Sequence, residues 1–369
     1  MEQPTEDLQP VEPAPEHQHV LEAIDPTAPI LSVRDLTVEF ETEDGMLRAV
    51  DKASFDVHHN ETLGIVGESG SGKSVTSMAI LGLLPDSANI TGSIEFRGTQ
   101  LLGMPEKQKE KLRGSKIAMV FQDALAALNP VQKVGKQIEE AIAVHQNLSA
   151  SDRRQRVIEL LETVGIPNPT DRVNQYPHEY SGGMRQRAMI AMAISNDPDL
   201  LIADEPTTAL DVTIQAQVLD VLERIQDRTN SSIMLITHDL GVVAGVADRV
   251  LVMYAGRQVE RGTVDEIFYE PRHPYTDGLL ASLPRLDRRS DKNSRLHRIK
   301  GQPPSLIFIP SGCAFHPRCP IAEIPGVCDH ERPELRSVGT DHWSACHFAE
   351  RLAEERSVDV DVEAPEASL

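Results

Sequence analysis

Eight residues carry the most chemistry per length in this chain of 369: Gly67-Glu-Ser-Gly-Ser-Gly-Lys73-Ser74. The spacing G-x4-G-K-S lets backbone N–H groups turn inward around the β- and γ-phosphates of a nucleotide. An apolar run, TLGIVG, precedes the loop, and helix formers follow it, so the helix start adds its positive end to the same anion. Gly67, Ser69, Gly70, Ser71, Gly72, Lys73, Ser74 and Val75 are the expected phosphate contacts, with Lys73 a point charge and the Ser74 hydroxyl a magnesium ligand. LLIADEP (200–206) supplies the partner carboxylates: Asp204 to hold the metal and Glu205 to polarise the attacking water. His238, after the run SIMLIT, and Gln122, after KIAMVF, end two further strands. In an open α/β sheet such strand ends meet at the ligand. His238 is expected at the γ-phosphate and Gln122 at the magnesium or its water.

A second glycine signal, YSGGMRQRAMIAMAI (180–194), opens another helix, with Ser181 and Gly183 placed to meet an anion. All four cysteines fall between 313 and 346, spaced C-x5-C-x8-C-x17-C. Cys313, Cys319, Cys328 and Cys346 lack the short knuckle usual for zinc, and four thiolates on irregular loops suit an iron–sulfur cluster. Zinc, or a metal-free buried group of thiols, stay open beside it. His316, His330, His342 and His347 are possible substitutes or outer donors.

The elements that must position these residues alternate along the chain. Strand-like runs are expected near 31–40, 49–59, 62–67, 92–98, 116–123, 200–204, 232–239 and 249–256. Helical patterns fill 75–84, 134–145, 152–165 and 213–228. Apolar strands between helices predict a mostly parallel sheet covered on both faces. Beyond residue 262 the periodicity gives way to Pro-rich irregular chain. The net charge of −21 argues against nucleic acid as the main partner. Residues 1–28 contribute −7 of it and 350–369 contribute −5, and both ends read as solvated acidic tails. No apolar run is long enough to span a bilayer, and the N-terminus lacks the pattern of a secretory signal, so a reducing cytosol is expected.

Taken together, these motifs resemble the ATP-binding-cassette family across about 29–262. GESGSGKS matches its Walker A loop, LLIADE its Walker B strand, and Gln122 its Q-loop. YSGGM matches the signature, TTALD (207–211) with Asp211 the D-loop, and His238 the switch histidine. Tyr180 and Met184 depart from the usual Leu and Gln of the signature. The resemblance implies a P-loop cassette fold with a β-rich N-terminal part, a helical subdomain inserted at about 124–182, and adenine stacked on Phe40. It further implies that two cassettes pair head to tail. Ser181, Gly182, Gly183 and Met184 would then act on a neighbour's ATP.

EPRHPYTDGLLASLP (270–284), GQPPSL (301–306) and the Cys run resemble the C-terminal extension of oligopeptide and dipeptide importer ATPases, specifically their D-type subunits. Members of that group carry iron–sulfur clusters, [4Fe-4S], on such cysteines. The implied division is a cassette at 29–262 and an extension at 263–349. The implied partners are a homologous F-type ATPase, two transmembrane permease subunits and an extracytoplasmic peptide-binding protein. The implied place is the cytoplasmic face of the membrane. A related cargo (nickel, glutathione or another solute) is the alternative, and a soluble cassette ATPase of repair or translation is a remoter one.

Overall fold

The structure, a computed structural model, describes residues 28–208, 210–283 and 299–354. Most of both expected acidic tails lies outside them. Residues 350–354, expected in the second tail, are instead packed on the fold: Glu350 pairs with Arg336 at 2.6 Å, and Leu352 is buried.

Among the described residues the strands are β1 (Leu31–Thr42), β2 (Gly45–Val57), β3 (Thr62–Val66), β4 (Ala88–Phe96), β5 (Thr99–Gln100) and β6 (Ile117–Val120). There follow β7 (Leu200–Asp204), β8 (Ser232–Thr237), β9 (Arg249–Tyr254), β10 (Arg257–Thr263), β11 (Arg336–Ser337) and β12 (Trp343–Ser344). They make a small sheet, β2-β1-β4-β5, and a large one, β11-β12-β10-β9-β3-β8-β7-β6.

The expectation of a mostly parallel sheet needs correction. Only β9-β3-β8-β7-β6 is parallel, while β10, β12 and β11 join antiparallel and every pair of the small sheet is antiparallel. The physical reason is local. Tyr254 and Arg257 are joined by Ala255-Gly256, both with positive φ, which turns β9 straight back as a hairpin instead of into a crossover helix. The short β12 then pairs with β10 and carries the extension into the main sheet.

Every residue of β3, β7 and β8 is buried, which explains their unbroken apolar composition. Successive side chains nevertheless serve different cores. Leu63, Ile65, Ile202 and Ile236 pack toward the small sheet, whereas Val66, Leu201, Ala203 and Leu235 pack toward the helices. The helices Val134–His145, Ala150–Thr163 and Gly182–Ala193 close this second core through Ile138, Ile142, Val157, Leu161, Ala188 and Met189. No helix among the described residues is long and apolar enough to cross a membrane. The stretch after 262 is more regular than expected. Val264–Tyr269, started by a Thr263/Glu266 capping box, and Pro274–Ala281 are helical.

Because β6, β7, β3 and β8 are parallel, their carboxyl ends share one edge. Val66 lies beside Thr237, Asp204 beside Ile236, and Val120 beside Ala203. The residues immediately after those strand ends form the site.

Candidate functional site

The phosphate loop leaves β3 and is shaped by its glycines. Gly67 and Gly72 have φ of 156° and 102°, and a Cβ on either would meet a backbone oxygen, that of Met253 at 2.2 Å or Ala49 at 2.4 Å. Gly70, with φ of 78°, has nothing within 4 Å of such a Cβ, and with Ser69 it is exposed. The loop is thus pinned at both ends and open in the middle. Lys73 is buried, its Nζ donating to the carbonyl oxygens of Gly67 at 2.6 Å and Glu68 at 3.0 Å. Burial lowers its pKa, opposed by the charges of Glu205, Asp204 and Glu68. Val75 packs into the core beneath the loop.

Ser74 Oγ donates to Asp204 Oδ1 at 3.0 Å, so the hydroxyl and carboxylate expected to hold magnesium are already adjacent. Desolvation raises the pKa of Asp204, and the Ser74 hydrogen bond opposes the rise. Two hard oxygens side by side, one from a poorly solvated carboxylate, fit a divalent cation.

Glu205 is held in the left-handed region at φ 47°, its N–H donating to Ile236 O at 2.8 Å. This strained conformation turns its side chain toward the open edge. Glu205 Oε2 accepts from Gln122 Nε2 at 3.0 Å and from Thr208 Oγ1 at 2.7 Å, and His238 Nδ1 lies 3.3 Å away. Gln122 therefore meets Glu205 directly, not the Ser74–Asp204 pair. Thr208 lies in the TTALD run, where the motif reading gave a role to Asp211 alone. Its signal is its place three residues after Glu205, where a turn bonds Thr208 N to Glu205 O. A cavity of about 710 Å³ adjoins this group; Ser74, Gln122 and Asp204 edge it, and Met78, Phe121 and Met189 give it an apolar wall.

The second glycine signal is built differently. Ser181 caps the helix Gly182–Ala193 by accepting from Met184 N at 3.3 Å. Ser181 and Gly182 are exposed, and a Cβ at Gly182 would meet nothing within 4 Å. Gly183 is buried instead, and a Cβ there would lie 2.5 Å from Ile214 Cγ2. The exposed helix start thus consists of Ser181 and Gly182, while Gly183 is small for packing. Tyr180 and Met184 are both buried, with Tyr180 Oη donating to Arg172 O at 3.0 Å. Burial pushes the Tyr180 hydroxyl up to about 12. Asp211 caps the helix Val212–Thr229, accepting from Ile214 N at 3.0 Å. Phe40 is half-buried on the apolar cluster of the small sheet, on the same strand as Val38 and opposite Leu47 and Ala88.

The cysteines do not bear out the expected metal site. Among the described residues no three or more His, Cys, Asp or Glu side chains are set to hold a metal ion, whether as an iron–sulfur or a zinc site. All four thiols are free. Burial is the main reason Cys319 is pushed up to about 11, Cys346 to about 12, and Cys313 above its usual value. The thiols pack among apolar side chains, Cys313 and Cys319 against the main core. They are still neighbours, since the other three each add to the shift at Cys346, whose Sγ accepts from Phe348 N at 3.3 Å. Of the nearby histidines, His342 is committed to Glu260 at 2.7 Å, and His316 and His347 to the carbonyls of Cys313 and Glu331. His330 lies 3.8 Å from Asp329.

Comparison with known proteins gives the family. Residues 50–208 match the family described as ABC transporter, and 259–325 match that described as oligopeptide/dipeptide transporter, C-terminal region. The chain is 51% identical over 327 residues to the dipeptide transport ATP-binding protein DppD of Bacillus subtilis, covering 88% of this chain and 96% of that one. It is 50% identical over 334 residues to the oligopeptide transport ATP-binding protein OppD of Mycobacterium tuberculosis, covering 90% of this chain. It spans only 54% of that mycobacterial relative's length. Among solved structures, cbiO1 from Clostridium perfringens, part of the complex cbiONQ, superposes with a TM-score of 0.57 at 30% identity, covering 66% of this chain and 91% of that one. The ATP-binding cassette MJ0796, in a dimeric post-hydrolysis state with ADP and Pi, gives a TM-score of 0.58 at 23% identity, covering 63% and 98%, which speaks for the fold.

Proposed function

The chain belongs to the ATP-binding-cassette family, in its oligopeptide and dipeptide transporter branch, and from that premise we propose that it hydrolyses ATP to power peptide import. The observation that carries the hydrolytic part is Glu205: one carboxylate oxygen gathers Gln122, Thr208 and His238 at the edge where the phosphate loop opens. In this reading the loop N–H groups and Lys73 hold the β- and γ-phosphates. Ser74 and Asp204, with Gln122 nearby, hold magnesium, which would draw charge from the phosphate oxygens. Glu205 orients a water for in-line attack and takes its proton, while His238 reads the γ-phosphate. The half-exposed edge of Phe40 is the proposed platform for adenine.

The exposed start Ser181–Gly182 is the proposed contact for ATP on a second cassette, the homologous F-type subunit. Cassette (29–262) and extension (263–349) are the proposed units. The helical region after Gln122 is the proposed seat for two permease subunits, supported by the exposed apolar Leu125, Val131 and Val144. With a peptide-binding protein on the far side, the ATPase would sit peripherally on the cytoplasmic face. Glu205→Gln tests the reading: bound ATP retained with turnover lost supports it, and undiminished peptide transport overturns it.

An iron–sulfur cluster on Cys313, Cys319, Cys328 and Cys346, with zinc as alternative, belongs here as a finer proposal. Its support is the donor set of four neighbouring thiols and the N–H at Cys346 Sγ. It would staple the extension, and no hydrolytic step runs through it. Iron, acid-labile sulfide and zinc measured per chain after anaerobic purification decide it.

A further inference from the structure

One residue outside the nucleotide motifs reaches the phosphate loop. Arg318, in the extension just before Cys319, forms a two-pronged pair with Glu68, Nη1 to Oε2 at 2.6 Å and Nη2 to Oε1 at 2.9 Å. The guanidinium is almost fully buried, at 4% side-chain exposure, and Glu68 is 29% exposed. Two of its three remaining donors are also placed. Nη1 reaches Tyr254 Oη at 3.3 Å, and Nε donates to Lys300 O at 3.1 Å. Its plane lies near the rings of Tyr254 and Phe315, 5.7 and 5.9 Å from their centres. Tyr275, buried in the same aromatic group, accepts from Glu68 N at 2.8 Å. Glu68 is therefore held at both its carboxylate and its amide by residues beyond 270. Its own carbonyl takes Lys73 Nζ at 3.0 Å.

Glu68 is an awkward residue for this loop. It places a carboxylate among groups that receive a polyanion, and a like charge there opposes binding. A buried fork matches both carboxylate oxygens, so it cancels the charge and fixes the side chain's direction, as a lysine's single ammonium does not.

We propose that Arg318 is a positioning residue of the nucleotide site, the extension's means of neutralising Glu68 and holding the phosphate loop in its ATP-receiving form. This rests on the ATPase reading above. It assigns the extension a direct part in nucleotide affinity, separate from any role of the cysteines.

The test uses the full chain, with affinity for a fluorescent ATP analogue and steady-state ATPase measured on the same preparations. Arg318→Gln is expected to weaken nucleotide binding by about tenfold or more and to raise KM correspondingly, with kcat changed by less than about threefold. Arg318→Lys, which keeps the charge, is expected to fall between that variant and the wild type. Combining Glu68→Gln with Arg318→Gln is expected to restore most of the lost affinity, because the unpaired carboxylate causes the defect. A merely structural staple would show no such rescue.

Wild-type affinity in Arg318→Gln, or a double variant as weak as the single one, overturns the proposal. Should Arg318→Gln fail to fold, the Lys variant with and without Glu68→Gln reads the same coupling, and affinity equal to wild type in Arg318→Lys overturns it. A wild-type chain that binds no nucleotide overturns the ATPase reading instead, so the two failures are separate.

Discussion

The phosphate loop and the signature both place glycines at a helix start, yet they are finished to different degrees. The loop closes on its own chain: Gly67 and Gly72 lie against the backbone of Met253 and Ala49, Lys73 is tied to loop carbonyls, and Arg318 neutralises Glu68. The signature ends in open space, with Ser181 and Gly182 exposed and only Gly183 held, against Ile214. An exposed helix start with a polar cap favours an anion, which the proposed function would draw from a second subunit. In the function proposed above, that difference would separate a site built by one chain from half of a site shared with another.

The largest expected effect breaks the comparison on the side of the complete site. Glu205→Gln should reduce ATP turnover by about a thousandfold, within the range for loss of a catalytic base, while nucleotide affinity persists. Single-turnover kinetics and equilibrium binding on one preparation check this. A smaller pair of changes separates the two signature glycines. Gly183→Val should cost about 1–3 kcal/mol of stability, because its side chain meets Ile214, as chemical unfolding would register. Gly182→Val should leave stability within about 0.5 kcal/mol yet depress turnover, since only a ligand or partner uses that space.

The smallest expected effect concerns Asp204. Burial raises its folded pKa, so its contribution to stability is fully present below the ordinary Asp pKa and is lost as pH rises through the raised value. At neutral pH the ionised carboxylate therefore weighs against folding. Asp204→Asn should raise the melting temperature slightly at pH 7 while abolishing magnesium-dependent hydrolysis, and that gain should shrink as the pH is lowered toward the ordinary Asp range. Thermal melts across that interval test the sign.

Much of this was legible in the residues. Apolar runs before GESGSGKS, in LLIAD and in SIMLIT are buried on both faces, so their exits had to share an edge, and Lys73, Asp204, Glu205 and His238 meet there. What escaped was set by contacts distant in sequence. The pairing of Arg318 with Glu68 spans 250 positions and has no local pattern. The antiparallel return of β10 depends on two residues at positive φ, one of them Ala255, which no turn rule singles out. The cysteines stand between: clustered spacing points to a ligand set, while burial raises the thiols and no metal-holding group is set among the described residues, so the cluster is kept as a proposal.

The central claim is that this chain's own loop binds ATP while its signature serves a neighbour. Ser181→Arg in the full chain, assembled with the homologous ATPase subunit, tests it most directly. ATP affinity of the isolated variant and ATP-driven association of the two subunits are measured together. The account predicts unchanged affinity in isolation with association and turnover lost. Affinity falling in the isolated chain, or association and turnover equal to wild type, would contradict it.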